Sequence, residues 1–299
     1  MKYIAKYIDI RIGRIKIDTP LIGADDGRAI PNLYEGVYLK SSYLENLSIE
    51  SLFLNKMSGF WSQIHSQIEM GRFISMGKAA GYEGIADNSK VFALGVTYTK
   101  DNLSAKIWNY YSNELLNAYI VEGSITNNLF NSTLTTTLQY VSQEQIGDTK
   151  TYLNSLNRTL DYSYFGAKLE LNYENLTTVL AMTNMDYQNK NWDNTMHIWA
   201  GLPQYTVAQE YGFKSANVNG ADVYKAGLSY KFSQKNKIDL NYYKYDLSNK
   251  VSSNDTDVID LIYNLKYSKN IDFTAVYERQ EFKSNDSGDI AKVIANYSF

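Results

Sequence analysis

The residues best equipped for chemistry in this 299-residue chain are few and scattered. His65 and His197 are the only histidines and cysteine is absent. Neither histidine has an acidic partner at metal-ligand spacing, so no metal site is expected. The Gly23 to Gly27 turn lacks the Lys and Ser/Thr of a phosphate loop, and no nucleophile elbow is visible, so neither a cofactor nor an enzymatic activity is expected. What remains is charge. Asp25, Asp26 and Arg28 share one polar connection, where an acid and base pair could orient zwitterionic or carboxylated solutes. The alternative is a self-satisfied loop, with an Asp capping a turn and Arg28 bridging to a neighbour. Arg11, Lys40, Lys106, Lys168, Lys225, Lys231, Lys266 and Lys292 alternate with apolar residues along the chain. Asp9, Glu50, Glu170, Asp239, Asp260, Asp272 and Glu278 do the same. Side chains of this kind steer ions and polar solutes.

Strands must carry these charges. The chain has 27 Tyr, 11 Phe and 4 Trp but only 3 Pro, a mixture that favours strands over helices. No apolar run reaches the length of about 18 residues needed for a transmembrane helix, and mean hydropathy is −0.38. A transmembrane barrel escapes that test, because its strands alternate lipid-facing and lumen-facing residues. The net charge of −3 argues against a nucleic-acid partner. The start, Met1 to Arg14, lacks the features of a secretory signal.

Period-two alternation is regular from residue 89 onward. Phe92, Leu94, Val96 and Tyr98 fall on one face, with Ala93, Gly95, Thr97 and Thr99 on the other. A turn at Lys100, Asp101 and Asn102 leads to a second alternating segment, which reads as a hairpin. Further tight turns are expected at 43–46, 126–128, 174–176, 233–236 and 268–270. Longer connections are expected at 18–32, 58–88, 146–158, 188–220, 249–256 and 284–288. Short turns and long loops thus alternate strictly, as periplasmic turns and extracellular loops do in an outer-membrane barrel. The reading is an all-β, antiparallel transmembrane β-barrel with about fourteen strands in one domain over residues 1–299.

Face chemistry supports it. Phe165, Ala167, Leu169, Leu171 and Tyr173 share a face, as do Tyr224, Ala226, Leu228, Tyr230 and Phe232, and also Ile259, Leu261, Tyr263, Leu265 and Tyr267. None carries a charge, and the opposite faces hold Lys168 and Glu170, then Lys225 and Lys231, then Asp260 and Lys266. A mixed lumen with weak ion preference follows. Tyr98, Tyr140, Tyr173, Tyr230, Phe232 and Tyr267 suit aromatic girdles, or serve simply as strand formers. Arg14 and Lys16 break the parity of Ile8, Ile10 and Ile12, which predicts a bulge or an exit from the bilayer near Gly13. Trp192, Trp199, Pro203 and Tyr205 would either stack on a solute or pack their long loop against the wall.

The last strand ends Ala291, Val293, Ala295, Tyr297, Phe299. A terminal Phe resembles the signal that outer-membrane barrels present to the barrel-assembly machinery. The segment Gly13 to Leu39 is similar to the strand, loop and strand segment of OprD-family porins, including those of Campylobacter-type bacteria. The matching positions are Gly13, Arg14, Asp18, Thr19, Pro20, Leu21, Asp25, Asp26, Arg28, Pro31, Glu35 and Gly36. The resemblance implies an eighteen-stranded barrel, so a signal peptide and about four strands would precede residue 8. It implies that 18–32, 58–88 and 188–220 include loops folded inward to narrow a channel. It implies outer-membrane lipid surroundings, passive diffusion of small hydrophilic solutes such as carboxylates, amino acids or short peptides, and a homotrimer. The alternative is a non-conducting surface barrel that binds through its loops.

Overall fold

The computed structural model describes residues 1–24, 31–59, 71–188, 190–192, 199–210, 219–247, 255–283 and 286–297. Alternation of side chains produces the expected hairpins, because each strand can bury or expose only one residue in two. The strands are β1 (Lys2–Ala5), β2 (Ile8–Ile15), β3 (Leu33–Ser41), β4 (Leu47–Ser58), β5 (Ile74–Ser75), β6 (Val91–Lys100), β7 (Leu103–Ser112), β8 (Leu116–Leu129) and β9 (Ser132–Gln145). Then follow β10 (Arg158–Thr159), β11 (Tyr162–Tyr173), β12 (Leu176–Met185), β13 (Asn191–Trp192), β14 (Asp222–Lys231), β15 (Asn236–Asp246), β16 (Thr256–Lys266), β17 (Ile271–Phe282) and β18 (Ser287–Tyr297). Two short helices, α1 (Met76–Ala79) and α2 (Gly147–Ser155), lie in connections.

The chain divides into two compact units. One comprises Met1–Gly123, Gln139–Ser163 and Gln188–Pro203, with the antiparallel order β1-β2-β3-β4-β6-β7-β8-β9 and β5 beside the end of β4. The other comprises Ser124–Leu138, Tyr164–Tyr187 and Gln204–Phe299, with the order β8-β9-β11-β12-β14-β15-β16-β17-β18. Neighbouring long strands pair over most of their length, as from Val91↔Ser112 to Lys100↔Leu103 and from Thr256↔Phe282 to Lys266↔Asp272. Register then aligns like with like. In the second unit Leu228, Leu240, Leu261 and Tyr277 are successive cross-strand partners, each 40–48% exposed. An uninterrupted apolar row of this kind is costly in water and suits hydrocarbon. Aromatic rings gather where strands meet the short turns, as in the Tyr7–Tyr43 pair, with ring centroids 5.9 Å apart, and Tyr230–Phe232, at 5.1 Å.

Four expectations need correction. First, the strands of this chain start ahead of residue 8, where all preceding strands were expected to be missing: β1 pairs in register with β2, from Lys2↔Arg11 to Ala5↔Ile8. Second, the turn placed at 126–128 lies at Phe130 and Asn131, because Asn127 and Asn128 stay in β8 while Phe130 takes the left-handed φ of 53° and Ser132 Oγ donates to the Leu129 carbonyl at 2.6 Å. Third, long and short connections do not alternate strictly. β7 and β8 are joined on the long-loop side by only Asn113–Leu115, closed by Glu114 at φ 60° and by Leu115 N–H donating to Ser112 O at 3.1 Å. The long connection after β9 covers this short one: Thr149 N–H donates to Glu114 O, and Asp148 N–H donates to the Glu114 carboxylate.

The fourth concerns Gly13. It adopts φ +110°, yet the β2–β3 ladder runs unbroken through Gly13↔Gly36, Arg14↔Glu35 and Ile15↔Tyr34. The bulge lies one strand over, where the β3–β4 register shifts between Glu35 and Gly36. Arg14 therefore remains on the outward face, satisfied by Glu35 rather than by a turn out of the sheet. Leu261→Arg, at the centre of the apolar row, is expected to cost about 2–4 kcal/mol in urea unfolding from lipid vesicles. A cost near zero would show that this face is wet.

Candidate functional site

The inward faces carry the chemistry. On β2, Arg11 is held by Asp9 at 2.6 Å and lies over the Tyr38 ring, 5.2 Å from its centroid. On β3 and β4, Lys40 meets Glu50 at 3.2 Å, and Tyr38 Oη donates to the same carboxylate. On β7, Lys106 meets Glu122 of β8 at 2.8 Å, and Gln139 Nε2 of β9 donates to the other Glu122 oxygen at 3.0 Å. In the second unit Lys168 meets Glu170 at 3.3 Å and lies 5.4 Å from the Tyr205 ring centroid. Lys225 lies over Tyr243, 5.2 Å from its centroid. Lys231 and Lys266 are exposed at the short-turn ends of β14 and β16. The supposed basic track is therefore mostly a set of local ion pairs: Arg11 and Lys168 meet an acid two residues along their own strand, on the same face, and Lys40 and Lys106 meet one on the paired strand.

Segments of the long connections rest on these inward faces. In the first unit the chain after β2 folds into a tight turn, with Thr19 and Ile22 bonded to each other through both their N–H and C=O groups. Asp18 closes it by accepting from Ala24 N–H at 2.8 Å. A second segment joins it through Gly23 N–H donating to Trp199 O and an Ile22↔Ala200 bridge. Tyr34 Oη from β3 lies 2.8 Å from both the Gly23 and Trp199 carbonyl oxygens, and Tyr110 Oη from β7 accepts from Leu21 N–H. The backbones approach so closely that a Cβ on Gly23 would lie 2.5 Å from Ala200 O, and one on Gly201 2.1 Å from the Leu21 carbonyl carbon. Trp199, 2% exposed, packs here as part of the loop's own core.

In the second unit the strap Gln204–Glu210 is clamped along β12 and β15–β18. Thr206 Oγ1 pairs with Thr183 Oγ1 at 2.8 Å, and Ala208 N–H donates to Tyr245 Oη at 3.1 Å. Gln209 N–H donates to Asp260 Oδ2 at 3.1 Å, and Glu210 N–H donates to Glu278 Oε2 at 2.7 Å. The Glu210 carboxylate pairs with Lys292. Asp260 and Glu278, direct cross-strand partners and fully buried, thus satisfy two successive backbone donors of the strap.

Asp25, Asp26 and Arg28 lie outside the described residues, as do both histidines and Phe299; Ala24 and Asn32, on either side of the first three, are joined by Asn32 N–H donating to Ala24 O at 2.7 Å. Sequence reading missed Glu122, Glu210 and the inward tyrosines Tyr34, Tyr38, Tyr243 and Tyr245, and it placed Tyr110 on the face of Lys106 without giving it a role. Parity along β8 marks Glu122, since it continues the series Leu116, Ala118 and Ile120, all buried. Glu210 lies in a loop, where no period exists to mark it.

A family model described as outer membrane porin, OprD family, matches residues 5–233. Among solved structures, Acinetobacter baumannii OccAB4 is similar at TM-score 0.75 and 17% identity, covering 99% of this chain and 73% of its own. Pseudomonas aeruginosa OccK8 (OprE) is similar at TM-score 0.77 and 12% identity, covering 99% and 78%. P. aeruginosa OccK2 (OpdF), solved in complex with glucuronate, is similar at TM-score 0.73 and 11% identity, covering 100% and 79%. No curated protein sequence matches the chain.

Tyr34→Phe removes the hydroxyl donor beside the Gly23 and Trp199 carbonyls, which keep Asn32 Nδ2 and Gly23 N–H as donors, at an expected cost of about 0.5–1.5 kcal/mol. Limited proteolysis of the folded protein reads this as faster cleavage around residues 16–24. Unchanged cleavage would show that the turn does not depend on this hydroxyl.

Proposed function

Because the chain belongs to the OprD family of outer membrane porins, antiparallel β-barrels of the bacterial outer membrane that act as channels rather than enzymes, we propose that its own task is passive diffusion of small hydrophilic solutes through a water-filled lumen. The observation that carries this reading is the ion-paired polar inner face set against an uncharged apolar row on the outer one. Water on one side and lipid on the other is the arrangement such parity requires.

The solutes we propose are carboxylates, amino acids or short peptides. Lysines beside aromatic rings, Lys168 at Tyr205 and Lys225 at Tyr243, offer an anion a cationic contact and an organic body a flat one. The glucuronate held by OccK2, a carboxylated sugar, fits the same chemistry. Asp25, Asp26 and Arg28 are proposed as the constriction, since the segment before them is pinned to the inward face through Gly23 and Ala24. Arg11, Lys40, Lys106, Lys168, Glu170, Lys225, Lys231, Asp260 and Lys266 are proposed as lumen residues, with ion preference kept weak by pairing. We read residues 1–299 as one barrel domain, assembled through β18 and the terminal Phe299 and forming a homotrimer.

Reconstituted in planar bilayers, the full-length protein is expected to show stepwise, ohmic conductance. Absence of steps at every protein concentration would favour the non-conducting surface barrel instead. Deleting Gln204–Glu210 should raise single-channel conductance, and Lys225→Gln should lower the permeability of acetate relative to potassium. If conductance is the same with and without the strap, the strap does not narrow the path.

A further inference from the structure

The outward face of the first unit carries charge where a lipid-facing wall ordinarily carries none. Ile12, Val37, Phe53 and Phe92 are successive cross-strand partners on β2, β3, β4 and β6, each 39–50% exposed, and form an apolar row. One outward step nearer the long connections, about 7 Å along the strands, the row becomes Arg14, Glu35 and Lys56. Arg14 and Lys56 share the single Glu35 carboxylate at 3.9 and 3.8 Å. The Arg14 guanidinium also covers the Phe73 ring, 4.4 Å from its centroid. Lys90, exposed just before β6, reaches over Phe53 at 5.8 Å. Arg72, next to Phe73 in the chain, is exposed as well. Lys78, near enough to Arg72 to feel its charge, is engaged by Glu83 and Asp87.

Three cations, Arg14, Lys56 and Lys90, beside one carboxylate among the described residues is not a general property of that rim. In the second unit the corresponding outward positions hold Asp257, Glu281 and Asp289 with Lys244 and Arg279, and the Arg is taken up by Glu281 and Asp289. Cations directly above an apolar band, at the end of the strands that bears the long connections, face the headgroups of the outer leaflet. Guanidinium and ammonium groups with this surplus complement phosphate, and Arg14 is fixed in position by its ring and carboxylate contacts.

We propose that Arg14, Lys56 and Lys90 form a docking site for a phosphorylated glycolipid of the outer leaflet, with its acyl chains lying on the row Ile12, Val37, Phe53 and Phe92. The site gives the porin a bound boundary lipid at β2–β6 that is independent of the solutes in its lumen.

The test uses the full chain in detergent micelles, with bisphosphorylated lipid A and fully dephosphorylated lipid A as probes and native mass spectrometry as the readout. The wild type should retain the bisphosphorylated form at least about tenfold better than the dephosphorylated one, and R14Q/K56Q/K90Q should abolish that preference. Folding is checked by the heat-dependent shift of the band on SDS gels. Should the triple variant fail to fold, K90Q, whose side chain lies over the Phe53 ring, should by itself reduce retention about threefold. Equal retention of both lipids by the wild type, wild-type retention by the folded triple variant, no change in K90Q where that variant stands in, or displacement by millimolar inorganic phosphate would overturn the proposal.

Discussion

Backbone hydrogen bonding is the constraint on which everything else in this protein rests. A strand that crosses hydrocarbon has no water to satisfy its N–H and C=O groups, so each must be paired with a neighbouring strand. Antiparallel ladders of nine to eleven residue pairs meet that demand in β6–β7, β11–β12, β12–β14, β14–β15, β15–β16, β16–β17 and β17–β18. Once the ladders exist, side chains have only two directions to take. The outward set becomes an apolar row bordered by aromatic rings, and the inward set is free to be polar. Charge on the outer face is tolerated only at its margins, as with Arg14 and Lys56 beside Glu35.

The same rule extends to the segments that lie on the inward face. Backbone removed from bulk water must find partners there, and tyrosine supplies many of them. Tyr34, Tyr110 and Tyr245 bury their rings against the wall and offer their hydroxyls to loop carbonyls or amides. In the second unit carboxylates take part as well, Asp260 and Glu278 accepting from successive amides of the strap. Removing such a partner leaves a buried group unsatisfied, which costs more than the bond contributes when present. The inward-lying segments are therefore part of the wall's hydrogen-bond system rather than additions to it.

Pairing also decides what the inner charges can do. Arg11 with Asp9, Lys40 with Glu50, Lys106 with Glu122 and Lys168 with Glu170 are all partly exposed, and each pair contributes roughly 0–1 kcal/mol to stability. Their effect is on the field: neighbouring opposite charges cancel at distances beyond a Debye length of about 8 Å. A mixed inner surface orients a dipolar solute at close range without strongly favouring one ion sign along the whole path.

Strand identity, face polarity and the place of most turns were legible in the residues alone, because a period of two is a local property that needs no partner to be seen. Leu228 and Leu261 could be assigned to the outer face, and Lys168 and Asp260 to the inner one, without knowing what stood opposite. Register, by contrast, belongs to pairs of strands. It moved the turn at 126–128 to Phe130 and Asn131, set the bulge opposite Glu35 rather than at Gly13, and brought Lys40 to Glu50 and Lys106 to Glu122. Loops have no period at all. That Gly23 lies against Ala200, or that Gln209 and Glu210 rest on Asp260 and Glu278, is decided by contacts between residues far apart in the chain. Such contacts exist only once the sheet has brought their partners together.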